Sequence, residues 1–156
     1  MAERRVRERA PRLIERRLRK VISASERAVK SGRDDDLHEA RIAIKRLRYT
    51  LEFFGSVLGP SAGEALDLLA LEQERLGTIA AVDAFVRTYD EISDHLPPGD
   101  ARAVGIAALR TAALQVRGRA LESLRAIWHD ESVGRYPDRL AASISAALDS
   151  LSNPVS

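Results

Sequence analysis

A row of basic residues in the second quarter of the chain has the spacing of an anion-binding helix face. Its members are three or four residues apart: His38, Arg41, Lys45 and Arg48. On an α-helix this spacing places them within an arc of roughly 80°. Because neighbouring cations on one helix face repel each other by a few tenths of a kcal/mol per pair, we expect something anionic to compensate this row.

The N-terminal segment repeats the arrangement. Basic residues recur at helical spacing on the side away from Ile14 and Leu18: Arg5, Arg9, Arg12, Arg16, and Arg19 or Lys20. Nine of the first 20 residues are Arg or Lys, and they are partly neutralised by Glu3, Glu8 and Glu15. The pattern alone is compatible with an anion site or with a solvated face held together by ion pairs one turn apart.

The net charge of +2 is unevenly distributed. Residues 1–50 contain 16 Lys or Arg and 8 Asp or Glu, whereas residues 51–156 contain 9 and 15. This asymmetry indicates one cationic surface, or two oppositely charged faces that pair with each other. There is no cysteine, which excludes disulfides and thiolate metal sites. With no apolar run long enough for a signal peptide or a membrane span, we expect a cytoplasmic protein.

Helical periodicity places both basic rows beside predicted core faces. In the second helix the apolar residues share one side: Ala40, Ala43, Ile44, Leu47, Leu51 and Phe54. In the first helix one side carries Ala10, Ile14, Leu18, Val21, Ser25 and Ala28. No strand-like alternation is present, so all of the secondary structure is predicted to be helical.

Five helices are predicted, over about 3–30, 34–57, 61–94 and 100–128, followed by a short one after Pro137. Pro11 removes an interior hydrogen bond, so the first helix is expected to become stable only near this residue, with residues 1–10 frayed. Four long antiparallel helices with short connections predict an all-α, up-down four-helix bundle with a short accessory helix, in one domain over 1–156.

Two short motifs are predicted to cap helices. Asp36 with Glu39, and Ser61 with Glu64, have the spacing of a capping box, in which the two side chains satisfy free N–H groups at a helix start. Ser31-Gly32 and Gly59-Pro60 are typical turn signals next to these motifs.

The segment HEARIAIKRLRYTLEFF resembles the signature helix of the CHAD family, the conserved histidine α-helical domain, and in particular the second half of that domain. The family pattern is H-x-x-R-x-x-x-K-R-x-R-Y-x-x-E, and it is matched here by His38, Arg41, Lys45, Arg46, Arg48, Tyr49 and Glu52. Downstream, residues 71–77 resemble the following L-Q-x-x-L-G segment. The chain departs from the family after this segment, where Ala80-Ala81 replace a polar residue and Asp, and Asp83 lies about 200° away from Ala81 on the helix.

The resemblance implies a non-catalytic protein without a cofactor that binds inorganic polyphosphate, or a similar polyanion, through basic residues of the first two helices. Arginine can hold phosphate oxygens with two parallel hydrogen bonds, which suits a chain of phosphates. The candidate ligands are Arg9, Arg12, Arg16, Arg19, Lys20, His38, Arg41, Lys45, Arg46, Arg48 and Tyr49. Tyr49 is favoured more as a cap on the core edge, and Glu52 as a partner that orients an arginine. Polyphosphate granules are one candidate location.

Members of this family usually have two such bundles in one chain, with their basic rows facing each other, whereas this chain has the length of one. His95 and His129 have no basic neighbours at helical spacing, so a second copy of the motif is not hidden in the chain. We therefore expect a homodimer whose symmetric interface rebuilds the two-bundle arrangement.

Three other functions remain open. A nucleic-acid-binding protein would use the same basic surface, but the basic row lacks interleaved aromatic residues for single strands. A metal-dependent phosphate-processing enzyme would need carboxylates that hold Mg²⁺, and the only acidic cluster, residues 34–36, is typical of a helix start. A histidine metal site is disfavoured because the three histidines are scattered among arginines.

Overall fold

The computed structural model describes the backbone of residues 2–152 and the side chains of residues 8–151. Within this range the chain forms six α-helices, one 3₁₀ turn and no strand, which confirms the predicted all-α bundle. The elements are α1 Ala2–Ser31, α2 Asp34–Phe53, α3 Gly55–Leu58, the 3₁₀ turn Gly59–Ala62, α4 Gly63–Asp94, α5 Arg102–His129 and α6 Tyr136–Ser152.

A tight turn at Gly32 joins α1 to α2 and makes them an antiparallel pair. Gly32 has φ of +63°, a left-handed conformation that favours glycine at a helix C-terminus. A Cβ atom at this position would lie 2.8 Å from Cδ2 of Leu121 on α5. Glycine is therefore required here both for the backbone conformation and for the close approach of α5.

The predicted apolar faces of α1 and α2 form one side of the core. All six predicted residues of α2 are buried, as are those of α1 except Leu18, which is half-buried. The first half of α4 completes the core from the other side, with Leu69, Leu76 and Ile79 almost fully buried. The basic residues between these apolar positions are thereby turned outward.

The last helix is a full member of the core, whereas a short accessory helix was predicted. α6 has 17 residues and buries Tyr136, Leu140 and Ile144. The Tyr136 hydroxyl donates a hydrogen bond of 3.0 Å to the carbonyl oxygen of Leu68, and its ring lies 5.5 Å from that of Trp128. The buried apolar residues of α6 recur every three or four residues, which places them on one face of the helix.

The predicted bounds of α1 hold to within one residue at each end, whereas the predicted end of α2 was wrong. α1 is continuous through Pro11, because Ala10 and Ile14 on either side are fully buried and this packing offsets a hydrogen-bond loss of about 3 kcal/mol. α2 ends at Phe53, four residues earlier than predicted, and the chain continues as the single turn α3.

Neither capping box forms. The N-cap of α2 is Arg33, without a side-chain cap, and Asp36 instead accepts a 2.6 Å hydrogen bond from the Ser31 hydroxyl. The N-cap of α4 is Ala62, and the Ser61 hydroxyl donates to the carbonyl oxygen of Leu58. The three acidic residues of the first turn still favour the start of α2 through the helix dipole.

The second half of α4 and the first half of α5 form a hairpin that contributes nothing to the core. No side chain from residue 83 to residue 120 is buried. α5 reaches the core near its C-terminal end, through the buried Leu121, Leu124 and Trp128 and the partly buried Ala120 and Ile127. α5 is thus a long antiparallel helix as predicted, but before residue 120 it packs on α4 and not on the core.

Candidate anion-binding site

The antiparallel packing of α1 on α2 leaves a basic groove of about 600 Å³ between them. Six cationic side chains line it: Arg16, Arg17, Arg19, Lys20, Arg27 and Arg46. Among the described residues Glu39 is the one acidic side chain in its lining. Four of the predicted ligands, Arg16, Arg19, Lys20 and Arg46, thus meet at one place although they belong to different helices.

These four predicted ligands differ from the other two cations of the groove. In the described part of the chain they make no ion pair or side-chain hydrogen bond, and all four are exposed. Arg17 instead donates through Nη1 to the carbonyl oxygen of Arg46 at 2.8 Å and to the Thr50 hydroxyl. Arg27 is paired with Glu39. The groove therefore contains four cations without a partner among the described residues. It also contains Arg17 and Arg27, whose bonds join α1 to α2.

The basic row predicted on α2, which consists of His38, Arg41, Lys45 and Arg48, lies mostly on the opposite flank of that helix. His38 and Arg41 line a second groove, of about 210 Å³, between α2 and α4, together with Arg87 and three acidic residues. Arg48 donates to Glu52 at 2.9 Å, the orienting role expected for that glutamate, and reaches Gln73 on α4 at 3.4 Å.

The predicted single stripe is thus divided between two grooves. Arg46 and Arg48 are two residues apart, which places them about 160° apart around α2. One points toward α1 and the other toward α4, and exposed Lys45 lies on the ridge between the grooves. On α1, Arg9 and Arg12 are exposed beyond the end of the first groove, and Arg5 lies outside the described side chains.

Two aromatic side chains are exposed on the ridge of α2. Tyr49 is 57% exposed, so it does not cap the core edge as was favoured from the sequence. Phe53, one turn further on, is 78% exposed and contacts the ring of buried Phe54 edge to face at 5.1 Å. The basic surface therefore does carry aromatic residues, contrary to the prediction from the sequence.

Asp83 does not bind the basic row. It lines the second groove, but its carboxylate accepts a 2.6 Å hydrogen bond from Arg117 of α5. Arg117 also bonds Asp34 at 2.7 Å and the carbonyl oxygen of Gly32 at 3.1 Å. Among the described residues, no carboxylate is hydrogen-bonded to His38 or Arg41, as the replacement by Ala80-Ala81 suggested.

A buried carboxyl group under the site was missed in the sequence. Glu72 of α4 is 3% exposed, and neither of its carboxyl oxygens has a hydrogen-bond partner among the described residues. The nearby Ser25 hydroxyl is likewise buried without a partner. Burial raises the pKa of Glu72 to about 7, against smaller lowering effects of the Ser25 and Tyr136 hydroxyls.

The missed arginines could have been found, but the buried carboxyl could not. Arg17 lies three residues before Lys20 and Arg27 seven residues after it, on the same side of α1, so the pattern rule that selected Arg16 and Arg19 also fits them. Glu72 lies in a run of polar residues, and it is buried in the folded chain near Ser25 of α1 and Tyr136 of α6, which are distant in the sequence.

These features, an all-helical fold with basic grooves along its first two helices, agree with the comparison with known families. The CHAD domain matches residues 1–86, more than half of the chain. The chain therefore belongs to the CHAD domain family. Neither the curated proteins nor the solved structures gave a significant match.

The matched region ends at residue 86, close to residue 83, where the last core contacts of α4 give way to the projecting hairpin. None of the helices in the described part of the chain combines the length and the apolar character needed to cross a membrane.

Proposed function

We propose that the chain binds inorganic polyphosphate, with the groove between α1 and α2 as the principal site. The observation that carries this proposal is the set of four exposed cations without internal partners, Arg16, Arg19, Lys20 and Arg46, in one groove of about 600 Å³. Membership of the CHAD family, which binds polyphosphate in general, supports it.

The geometry suits a flexible string of anions. Polyphosphate has no bases to recognise, so its binding depends on repeated charge-assisted hydrogen bonds to successive phosphates. α1 provides cations over several turns. The exposed Arg9 and Arg12 extend this row of cations past the groove. A chain of phosphates lying along α1 would meet a cation at nearly every helical turn.

The row on the other flank of α2 is proposed as an extension of the site. Lys45 and Tyr49 lie on the exposed ridge of α2, and His38, Arg41 and Arg48 lie beyond it toward α4. Because Asp34, Asp35 and Asp83 share that second groove, its field is weaker for an anion than that of the first. We therefore expect the row to add affinity for long polyphosphates more than for short ones.

The test is a titration with polyphosphates of several lengths, by calorimetry or by anisotropy of a labelled polyphosphate. Arg16→Ala, Lys20→Ala and Arg46→Ala should each weaken binding about tenfold, because each removes a charge-assisted contact of about 1.5 kcal/mol. Arg119→Ala removes the same charge from an exposed site on α5 and should have little effect. Equal losses in Arg119→Ala and Arg46→Ala would contradict a specific groove.

The proposed extension of the site, on the ridge of α2 and on its flank toward α4, is tested in the same assay. Arg41→Ala and Arg48→Ala should weaken binding of long polyphosphates by a smaller factor than Arg46→Ala and leave short ones nearly unaffected. Lys45→Ala, on the exposed ridge, should behave in the same way. If these variants lose more affinity than Arg46→Ala at every length, the principal site lies between α2 and α4 instead.

A homodimer is part of this proposal. The chain provides one basic bundle, and a symmetric pair would present two basic surfaces to one polyphosphate, which raises affinity through effective concentration. Sedimentation equilibrium with and without polyphosphate tests it. A monomer at tens of micromolar under both conditions would leave a one-sided site on a single chain.

Single-stranded nucleic acid is the second candidate ligand, and a specific observation favours it. Tyr49 and Phe53 expose their rings one turn apart beside the basic groove, and base stacking on such a ring contributes about 1–3 kcal/mol per base. Competition decides between the two ligands. Oligoribonucleotide that displaces polyphosphate at equal phosphate concentration, with a loss of RNA affinity in Phe53→Ala, would favour nucleic acid.

Binding without catalysis is also proposed. Incubation with polyphosphate and Mg²⁺, followed by a phosphate assay, should release no phosphate above the uncatalysed background. Release that disappears in a variant lacking the acidic residues 34–36 would instead assign the chain to the phosphate-processing enzymes.

A further inference from the structure

We propose that the projecting hairpin of α4 and α5 is the surface through which two copies of this chain associate. From residue 83 to residue 120 no side chain is buried, although both helices are regular over almost all of this length. Helices are marginal in water unless an amphipathic face packs against something else. Within one chain the two helices of the hairpin pack on each other but bury no side chain, so the packing that normally stabilises such an element is incomplete.

The first half of α5 carries an unpartnered apolar stripe. Its members recur one, three or four residues apart and share an arc of about 140°: Val104, Gly105, Ala108, Leu109, Ala112 and Val116. All six are exposed, with Val104 at 78% and Leu109 at 54%. This spacing is typical of a helix face that packs against another helix.

Gly105 leaves the stripe without a side chain near its start. A glycine inside an exposed helix costs about 1 kcal/mol relative to alanine. Among the described residues nothing lies within 4 Å of the position a Cβ atom would occupy, so no contact with them requires a glycine. With Ala108 and Ala112 it leaves a shallow surface into which a second helix can fit, at the usual interaxial distance of about 8–10 Å.

The charges near the stripe favour a second copy over a charged partner. Every basic side chain of α5 between residues 102 and 118 is already paired within the chain. Arg102 binds Asp100, Arg110 binds Asp90 at 2.5 Å, and Arg117 binds Asp83. Two such stripes can meet over this length without burying an unpaired basic side chain of α5, and an acidic partner or an anionic lipid surface would find no free basic side chain of α5 there to bind.

The area is sufficient for a weak but specific dimer. Residues 102–117 span about 24 Å as a helix, and two helices side by side are about 20 Å wide. One face of the hairpin therefore covers roughly 500 Å², or roughly 1,000 Å² in total for two copies, which reaches the lower limit of specific interfaces. Pairing of two hairpins would create a four-helix bundle around the stripe.

The test compares the oligomeric state of matched charge variants by sedimentation equilibrium. Wild type should be dimeric at tens of micromolar, and Leu109→Glu should be monomeric with an unchanged helical circular dichroism spectrum, because Leu109 is exposed in the single chain. Ala107→Glu adds the same charge to an exposed position about 160° away and should remain dimeric. A monomeric wild type, a dimeric Leu109→Glu, or a monomeric Ala107→Glu would each overturn the proposal.

Two exposed glycines of α5 give a second matched pair. Gly105→Gln and Gly118→Gln both add a good helix former where nothing lies within 4 Å, but the two positions are about 140° apart around the helix. Gly105→Gln should raise the dimer dissociation constant at least tenfold, and Gly118→Gln should not. Equal dissociation constants in the two variants would contradict close approach at the stripe.

The interface rests on the homodimer of the proposed function, and its outcome is separable from that of the polyphosphate groove. Monomeric Leu109→Glu retains the groove between α1 and α2 and should still bind short polyphosphates. A chain that binds polyphosphate but never dimerises would overturn the homodimer and this interface and leave the groove, and a dimer that binds no polyphosphate would overturn the ligand alone.

Discussion

Arg27 on α1 and Glu39 on α2 form an ion pair at one end of the basic groove, with 2.6 Å between Nη2 and Oε2. Arg27 also donates from Nη1 to the Ser23 hydroxyl at 3.1 Å. Half or more of each charged side chain is exposed, so the pair contributes only about 0–1 kcal/mol to stability. Its larger effect is to cancel one of the six cations of the groove.

Removal of this carboxylate should therefore strengthen anion binding. In Glu39→Gln the Arg27 guanidinium becomes available, and we expect polyphosphate affinity to rise about threefold to tenfold in a calorimetric titration. Glu26→Gln makes the same charge change at an exposed position of α1 outside this groove and serves as the control. An equal gain in both variants would indicate a general charge effect.

Arg17 should contribute to stability rather than to binding alone. Its hydrogen bonds to the Arg46 carbonyl oxygen and the Thr50 hydroxyl join α1 to α2. Arg17→Met retains most of the apolar stem but loses both bonds, so we expect the free energy of unfolding in urea to fall by about 2 kcal/mol. Arg16→Met, at the exposed neighbouring position, should change it by less than about 0.5 kcal/mol. Similar losses in the two variants would show that the bonds across the helices are unimportant.

The buried Glu72 should make stability depend on pH. Its pKa is about 7 in the folded chain, against 4.5 for an ordinary glutamate. Between these values the unfolded chain loses a proton that the folded chain retains. The free energy of unfolding should therefore fall by about 3 kcal/mol as pH rises from about 4.5 to 7, and remain level above.

Urea unfolding of wild type and Glu72→Gln at a series of pH values measures this effect. The glutamine variant lacks the titrating group, so its stability relative to wild type should increase over the same pH range and then stay constant. Glu74→Gln, at an exposed position of the same helix, should follow wild type in parallel. A pH-independent difference between wild type and Glu72→Gln would mean that Glu72 does not retain its proton on folding.

Gly32 should be intolerant of any side chain, for two separable reasons. Gly32→Ala places a Cβ atom in a left-handed conformation and 2.8 Å from Cδ2 of Leu121, so we expect a loss of about 2 kcal/mol in unfolding experiments. In a Leu121→Ala background the contact is absent, and the same change should cost only about 1 kcal/mol. Identical costs in both backgrounds would show that Leu121 moves aside freely.

The periodicity of the sequence was sufficient to predict which side of a single helix is buried. The periodicity around Ile44 and Leu47 correctly identified the buried face of α2, because a helix that packs on a core must carry its apolar residues on one side. The same kind of pattern on α1 identified Arg16 and Lys20 as outward-facing, whereas Arg46 was selected only by the resemblance to the family motif. It did not reveal which neighbouring helix lies on each flank of α2, and for that reason one predicted stripe became two grooves.

The predictions were wrong where contacts with distant parts of the chain determine the partner or the burial of a residue. Glu39 has the position of a capping residue, but Arg27, twelve residues earlier, binds it. Glu72 is polar in the sequence, and it is buried near residues of α1 and α6. The length of α5 also gave no indication that only its end, from Ala120 onward, reaches the core. The dimer and the polyphosphate ligand remain predictions.

The three contacts of Arg117 mark a mechanical boundary in the molecule. This one guanidinium joins α5 to α4 through Asp83, to α2 through Asp34 and to the interhelical turn through Gly32. On the core side of this junction, opening an amide requires the packed helices to separate. On the other side, only the hairpin has to fray. In a single chain, amide hydrogens of residues 84–116 should therefore exchange with deuterium far sooner than those around Leu124, and the slowing of that exchange with increasing protein concentration would report how long the hairpin stays covered.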